Sequence, residues 1–124
     1  MPRRILVVDD DPDVQQVLKR FLGEDAYDVT TVDDGDAAMR RLQRDPPDLV
    51  LLDLDMPRLN GLEVLRRISA AGIDVAVIVL SGHFDERAFE LAISLGAKSY
   101  LHKPIDFKML ETTINRYLGQ DEEG

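Results

Sequence analysis

Short apolar runs alternate with longer stretches of helical periodicity along the whole chain. ILVV, from Ile5 to Val8, is a block that a chain buries in a strand. Asp11-Pro12 then supplies a helix cap and a first-turn proline, and Val14, Val17, Leu18, Phe21 and Leu22 recur on one helical face toward Gly23. YDVTTV (Tyr27 to Val32) alternates apolar with polar and predicts a half-polar strand at the edge of a sheet. Asp34-Gly35-Asp36 opens a short helix carrying Ala37, Ala38 and Leu42, and Asp45-Pro46-Pro47 stops it because neither proline continues the hydrogen-bond ladder. LVLL (Leu49 to Leu52) is a third strand, followed by a helix striped with Leu62, Leu65 and Ile68. Val75 to Leu80 makes a fourth, and Ala88, Leu91, Ala92 and Leu95 line a helix ending near Gly96. SYLH (Ser99 to His102) is a short fifth strand, and Phe107, Leu110, Ile114, Tyr117 and Leu118 stripe the last helix. Five strands alternating with five helices predict an α/β fold, with right-handed crossovers and a mostly parallel sheet covered on both faces.

Composition narrows the possible functions. The 124 residues suffice for one domain with a full core, and 44% apolar content marks a folded chain. No apolar run approaches the length of a membrane span, and no segment has the pattern of a signal peptide. The absence of cysteine excludes disulfides, thiolate metal sites and thiol catalysis, and fits a cytoplasmic location. A net charge of −9 disfavours direct binding of nucleic acid or of an anionic membrane. A protein partner or a cation suits this surface better. Residues 120–124 read as an acidic tail or the start of a linker after a single domain spanning 1–119.

The polar residues that follow the strands change the picture most. In open α/β sheets, ligands bind outside the carboxyl ends of the strands, where strand order reverses. Asp9 and Asp10 follow the first strand, Asp53 the third, Ser81 the fourth and Lys103 the fifth. Each alone is ordinary loop chemistry; all of them on one edge is not. Three carboxylates together repel, and a hard divalent cation such as magnesium, which takes oxygen ligands, relieves this. A lysine and a hydroxyl added to that set suit the equatorial oxygens of a transferring phosphoryl group. A carboxylate also serves as nucleophile in such a transfer, forming an acyl phosphate. The residues therefore point to metal-assisted phosphoryl transfer onto an aspartate, with Asp53 the best nucleophile.

At ILVVDD, LLDLDMPRLNG, VLSGH and YLHKP the sequence resembles the receiver domains of two-component response regulators, the CheY-like family. The resemblance covers nearly the whole chain and implies a (βα)5 flavodoxin-like, doubly wound parallel sheet in the order 2-1-3-4-5. It makes Asp53 the phosphoacceptor. Asp10 and Asp53 would be direct ligands of Mg2+ or Mn2+, the backbone carbonyl of Asp55 a third, and Asp9 a ligand through water. Ser81 resembles the hydroxyl that follows the phosphoryl group, Tyr100 the aromatic that turns with it, and Lys103 the partner of the phosphoryl oxygens. Asp55 and His83 stand at positions that tune phosphoryl lifetime. The likeness also implies a cis Lys103–Pro104 bond, self-catalysed aspartyl phosphorylation with slow dephosphorylation, and no turnover of external substrates. Its implied partners are a sensor histidine kinase or phosphotransfer protein, and an effector or output domain meeting the fourth helix, fifth strand and fifth helix. Homodimerisation on phosphorylation belongs to the same pattern.

Other features carry blander expectations. His102 packs or caps its strand, Asn60-Gly61 is turn chemistry, and Arg40, Arg41 and Arg44 form a solvated helix face. One rival function is a haloacid-dehalogenase-like aspartyl-phosphate phosphatase, because Asp53-Leu54-Asp55 after an apolar strand resembles that nucleophile motif. Its metal acids lie downstream, however, whereas Asp9 and Asp10 lie upstream. A flavodoxin-like carrier would have to hold a flavin phosphate beside Asp9, Asp10 and Asp11, which repel it. A degenerate, phosphorylation-independent scaffold finds no support in a chain that keeps every site residue.

Overall fold

The computed structural model describes residues 2–23, 27–56, 60–83 and 85–119. The expected tail or linker at 120–124 lies outside the described residues, as do residues 57–59 of the LLDLDMPRLNG motif. Strands and helices alternate as β1 (Arg4–Val8), α1 (Pro12–Gly23), β2 (Asp28–Val32), α2 (Gly35–Arg44), β3 (Leu49–Asp53), α3 (Gly61–Ala71), β4 (Ala76–Ser81), α4 (Glu86–Ser94), β5 (Ser99–His102) and α5 (Phe107–Leu118). All strand pairs are parallel, in the order β2-β1-β3-β4-β5.

The sheet is buried on both faces, and the two-residue period of a strand divides its side chains between them. Ile5 and Val7, Leu49 and Leu51, and Ile78 and Leu80 point to one side, where they pack on Leu18 and Leu22 of α1 and Leu110, Ile114 and Leu118 of α5. Leu6 and Val8, Val50 and Leu52, and Val77 and Val79 point to the other, against Ala38, Met39 and Leu42 of α2, Val64, Leu65 and Ile68 of α3, and Ala92 of α4. Each fully buried leucine or isoleucine contributes about 2–3 kcal/mol by leaving water. Side chains from Asp34, Asn60, Asp85 and Asp106 accept hydrogen bonds from the first turns of α2, α3, α4 and α5, which fixes where these helices start.

Several boundaries differ from the apolar pattern. β3 extends to include Asp53 and β4 to include Ser81, because the ladder continues through the pairs Asp53–Leu80 and Ser81–His102. β2 begins at Asp28, one residue after Tyr27. The apolar stripe of α1 is narrower than its sequence predicts: Leu18 and Leu22 are buried, while Val17 is 50% exposed.

Candidate functional site

Among the described residues the buried polar side chains are Asp9, Asp53, Ser81 and Thr113. Thr113 is satisfied within its own helix, donating its hydroxyl proton to the Met109 carbonyl at 2.7 Å. The other three stand at the carboxyl ends of β1, β3 and β4. That edge is where the chain has placed polar groups at a cost.

Topology brings them together. The chain leaves β1 for β2 on one side and returns to β3 on the other, so a crevice opens between the carboxyl ends of β1 and β3. Val8 pairs with Leu52, which puts Asp9 opposite Asp53. Strand phase then sorts the side chains. Asp9 continues the phase of Ile5 and Val7, Asp53 that of Leu49 and Leu51, and Lys103 that of Leu101, all on the α1/α5 side. Lys103 Nζ accordingly reaches Asp9 Oδ2 at 3.0 Å and Asp53 Oδ1 at 3.4 Å. The Lys103–Pro104 peptide bond is cis, as expected.

Both buried carboxylates are held by local backbone as well. Asp9 Oδ1 accepts from the Asp11 N–H and Asp53 Oδ1 from the Asp55 N–H, each at 2.9 Å. Burial pushes the Asp53 carboxyl above its usual range; the Asp55 N–H opposes this and the Asp9 charge adds to it. Burial alone would lower the Lys103 pKa, but its hydrogen bond to Asp9 and the charges of Asp53 and Asp9 outweigh that, and the ammonium is held charged. Asp10 is exposed, with a carboxylate oxygen within 4.8 Å of oxygens from both Asp9 and Asp53. Three carboxylates facing one ammonium leave two negative charges, and the donors are all oxygen. A hard divalent cation matches both the charge and the ligand type.

Residues 5–115 match the response regulator receiver domain family. The chain belongs to that family. It is similar to the response regulator MprA of Mycolicibacterium vanbaalenii, with 41% identity over 110 residues that cover 89% of this chain and 48% of that protein. It is also similar to the alkaline phosphatase synthesis transcriptional regulatory protein PhoP of Bacillus subtilis, 30% identical over 98% of this chain and 51% of that protein. The chain thus spans about half the length of these curated relatives. Among solved structures, a response regulator receiver domain protein from Clostridium thermocellum superposes with a TM-score of 0.87 at 34% identity, covering 94% of each chain. The BeF3-activated N-terminal receiver domain of Klebsiella pneumoniae RstA gives 0.86 at 28% identity, covering 94% of this chain and 99% of that one. Family membership separates the domain from metabolic enzymes and does not favour the phosphatase reading. No helix among the described residues is long and apolar enough to cross a membrane.

The remaining sequence-predicted residues of this receiver domain sit on the opposite strand phase. Ser81 follows Val77 and Val79, and Tyr100 packs against the α2/α3/α4 core. The Ser81 hydroxyl donates to the His83 carbonyl at 2.8 Å, and the Tyr100 hydroxyl approaches the same oxygen at 3.3 Å. Phe89 of α4 lies edge-on to Tyr100, with ring centroids 5.5 Å apart. His83 therefore matters first through its backbone; its side chain is 87% exposed, with Nδ1 3.9 Å from Asp55 Oδ2. His102 is exposed, with its ring 6.0 Å from Tyr100. Arg40 and Arg44 are solvated as expected, whereas Arg41 is half-buried and 3.4 Å from the Thr30 hydroxyl.

Three sets of contacts go beyond what the motifs state. Asn60 caps α3 by accepting from the Glu63 N–H at 3.0 Å, and Gly61 is buried against the acceptor strand. A Cβ on Gly61 would collide with the Asp53 carbonyl oxygen and lie 2.8 Å from Leu54 Cα, so Asn60-Gly61 is more than turn chemistry. Gln15, one turn into α1, donates its amide to the carbonyls of Asp9 and Val32, tying the ends of β1 and β2. The Asp55 side chain reaches across to β4, accepting from the Gly82 N–H at 2.9 Å. The Asn-Gly pair was the one visible signal; the other two contacts depend on strand order.

Proposed function

We propose that this receiver domain, taken as residues 1–119, accepts a phosphoryl group on Asp53 from a phosphohistidine of a sensor kinase or phosphotransfer protein. The reading rests most heavily on one observation: two buried carboxylates on neighbouring strand ends share a lysine, with an exposed third acid beside them. Asp53 Oδ1 is engaged by the Asp55 N–H and Lys103, while Oδ2 receives no hydrogen bond among the described residues and is the attacking atom. As the O–P bond forms, the N–P bond to the donor imidazole breaks, and that nitrogen leaves with the bonding pair and is protonated by solvent. Asp9, Asp10, Asp53 and the Asp55 carbonyl would hold Mg2+ or Mn2+, which when bound supplies charge neutralisation at the phosphoryl oxygens. Lys103 pairs with a phosphoryl oxygen, and Ser81 rotates its hydroxyl from the His83 carbonyl to another. Hydrolysis of the acyl phosphate by water at the same centre resets the domain, with Asp55 and His83 beside the path of attack.

The output is a change of surface at α4, β5 and α5. Support comes from how lightly α4 is seated: Ala92 is buried, while Phe89 and Ile93 are 37% and 41% exposed. When Ser81 leaves the His83 carbonyl, the Tyr100 hydroxyl, which already donates to that oxygen at 3.3 Å, no longer shares it with Ser81 and moves inward, taking its contact with Phe89 along. An effector, an output domain or a second copy would sense this face.

Incubation with acetyl phosphate and Mg2+ tests the proposal. Wild type should gain one phosphoryl group, labile to alkali and hydroxylamine, and none when EDTA is present. Asp53→Asn should not label, and p-nitrophenyl phosphate should not be turned over. Full labelling of Asp53→Asn would place the nucleophile elsewhere.

A further inference from the structure

We propose that the Asp55 carboxylate is a resident anion in the phosphoryl cradle, held on the donors at the end of β4 until an incoming phosphoryl group displaces it. The inference rests on the phosphoacceptor reading of Asp53 and deepens it. β3 and β4 pair as far as Asp53 and Leu80, and the Leu54 N–H continues the ladder to the Leu80 carbonyl at 3.1 Å. That register sets Asp55 against the residues just past β4. Its Oδ2 accepts from the Gly82 N–H at 2.9 Å, and its Oδ1 lies 3.5 Å from Ser81 Oγ. The Ser81 proton goes to the nearer His83 carbonyl, so the amide hydrogen bond is the stronger hold.

A backbone N–H beside a hydroxyl, one strand over from the acceptor, is what a phosphoryl oxygen needs. A side-chain carboxylate already occupies that place. It also brings a further negative charge to an end of the sheet that holds Asp9, Asp10 and Asp53, so charge alone would drive it toward solvent. Gly82's N–H holds it in. A phosphoryl group carries more charge and meets Lys103 as well, so it wins the donors. The displaced carboxylate has somewhere to go: it is 37% exposed, and the His83 imidazole stands 3.9 Å away on the solvent side. Asp55 would thereby set how readily the domain takes up a phosphoryl group, separately from how fast the group is later lost.

Beryllofluoride separates uptake from loss, because it binds the acceptor carboxylate without being hydrolysed. Its affinity is measured in saturating Mg2+ by titrating amide resonances of wild type, Asp55→Ala, Asp55→Asn and Asp13→Asn. Asp13→Asn removes an equal charge from α1 without touching Gly82. Asp55→Ala should bind about ten-fold more tightly, the worth of one charge-assisted hydrogen bond no longer competing. Asp55→Asn should fall between, because an amide oxygen still accepts from Gly82 but less strongly. Asp13→Asn should stay within about two-fold of wild type, since exposed charges are screened. Without ligand, the Gly82 amide proton should move upfield in Asp55→Ala. Equal or weaker binding by a folded Asp55→Ala, or an equal gain in Asp13→Asn, overturns the proposal while leaving the phosphoacceptor reading intact. Failure of wild type to bind beryllofluoride overturns both.

Discussion

Replacing Asp53 with asparagine should stabilise the metal-free domain. The side chain is 2% exposed, and asparagine keeps its shape and an oxygen to accept from the Asp55 N–H. At an effective dielectric near 20, Lys103 at 3.4 Å attracts the carboxylate by about 5 kcal/mol. Asp9, with an oxygen no farther than 4.8 Å, repels it by at least about 3.5 kcal/mol, and the exposed Asp10 adds at least about 1 kcal/mol at the dielectric of water. The repulsions thus offset nearly all of the attraction or more, the Asp55 charge adds to them, and the cost of desolvating the charge is left over. Lys103 keeps its partner in Asp9 at 3.0 Å, so no buried ammonium is orphaned by the substitution. The expected gain is about 1–2 kcal/mol, or about 4–8 °C in melting temperature for a domain this size. Thermal and urea melts followed by circular dichroism in EDTA would measure it. The pH dependence carries a sign. Because the folded-state pKa of Asp53 lies above its ordinary 3.8, the native protein holds that proton more tightly than the unfolded chain. Wild type therefore loses stability as pH rises from 3.8 through the raised value, and the advantage of Asp53→Asn opens across that window and then levels off. Millimolar Mg2+ should close or reverse the gap, since wild type binds the ion more tightly. A variant less stable than wild type by 1 kcal/mol or more in EDTA would show that Lys103 over-compensates the buried charge, and would refute this reasoning.

Further outcomes follow from the same geometry. Lys103→Met leaves Asp9 and Asp53 buried without their shared ammonium and should cost about 2–4 kcal/mol in EDTA, partly recovered with Mg2+. Because the Lys103 pKa is raised from 10.5, wild type should also lose stability as pH climbs through the raised value, a loss absent from Lys103→Met in the same melts. Gly61→Ala should cost about 2–3 kcal/mol and lower the rate of labelling by acetyl phosphate, because the new methyl meets the Asp53 carbonyl; unchanged stability would mean that α3 shifts freely. Beryllofluoride with Mg2+ should shift amides along α4, β5 and α5 in wild type, and only around the β1/β3 crevice in Tyr100→Ala. Identical maps would remove Tyr100 from the route.

Local pattern was enough to give the elements of this protein and the polar residues at its strand ends. Apolar blocks such as ILVV and LVLL specify buried strands whatever lies beside them, and a polar residue directly after such a block must stand at its end. Asp9, Asp10, Asp53, Ser81 and Lys103 were therefore legible as one set, and the family motifs supplied strand order. What needed the tertiary structure was every relation between segments far apart in the chain. Register puts Asp9 and Asp53 on a common phase with Lys103, and Ser81 with Tyr100 on the other, because period-two alternation says nothing of the phase between strands. Adjacent acids in sequence separate into a buried Asp9 and an exposed Asp10 because successive strand-end residues face opposite ways. The tight seat of Gly61 and the reach of Asp55 to the Gly82 amide likewise appear only when α3 and β4 close on the end of β3. Periodicity is a property of neighbours along the chain; these contacts are set by packing across it.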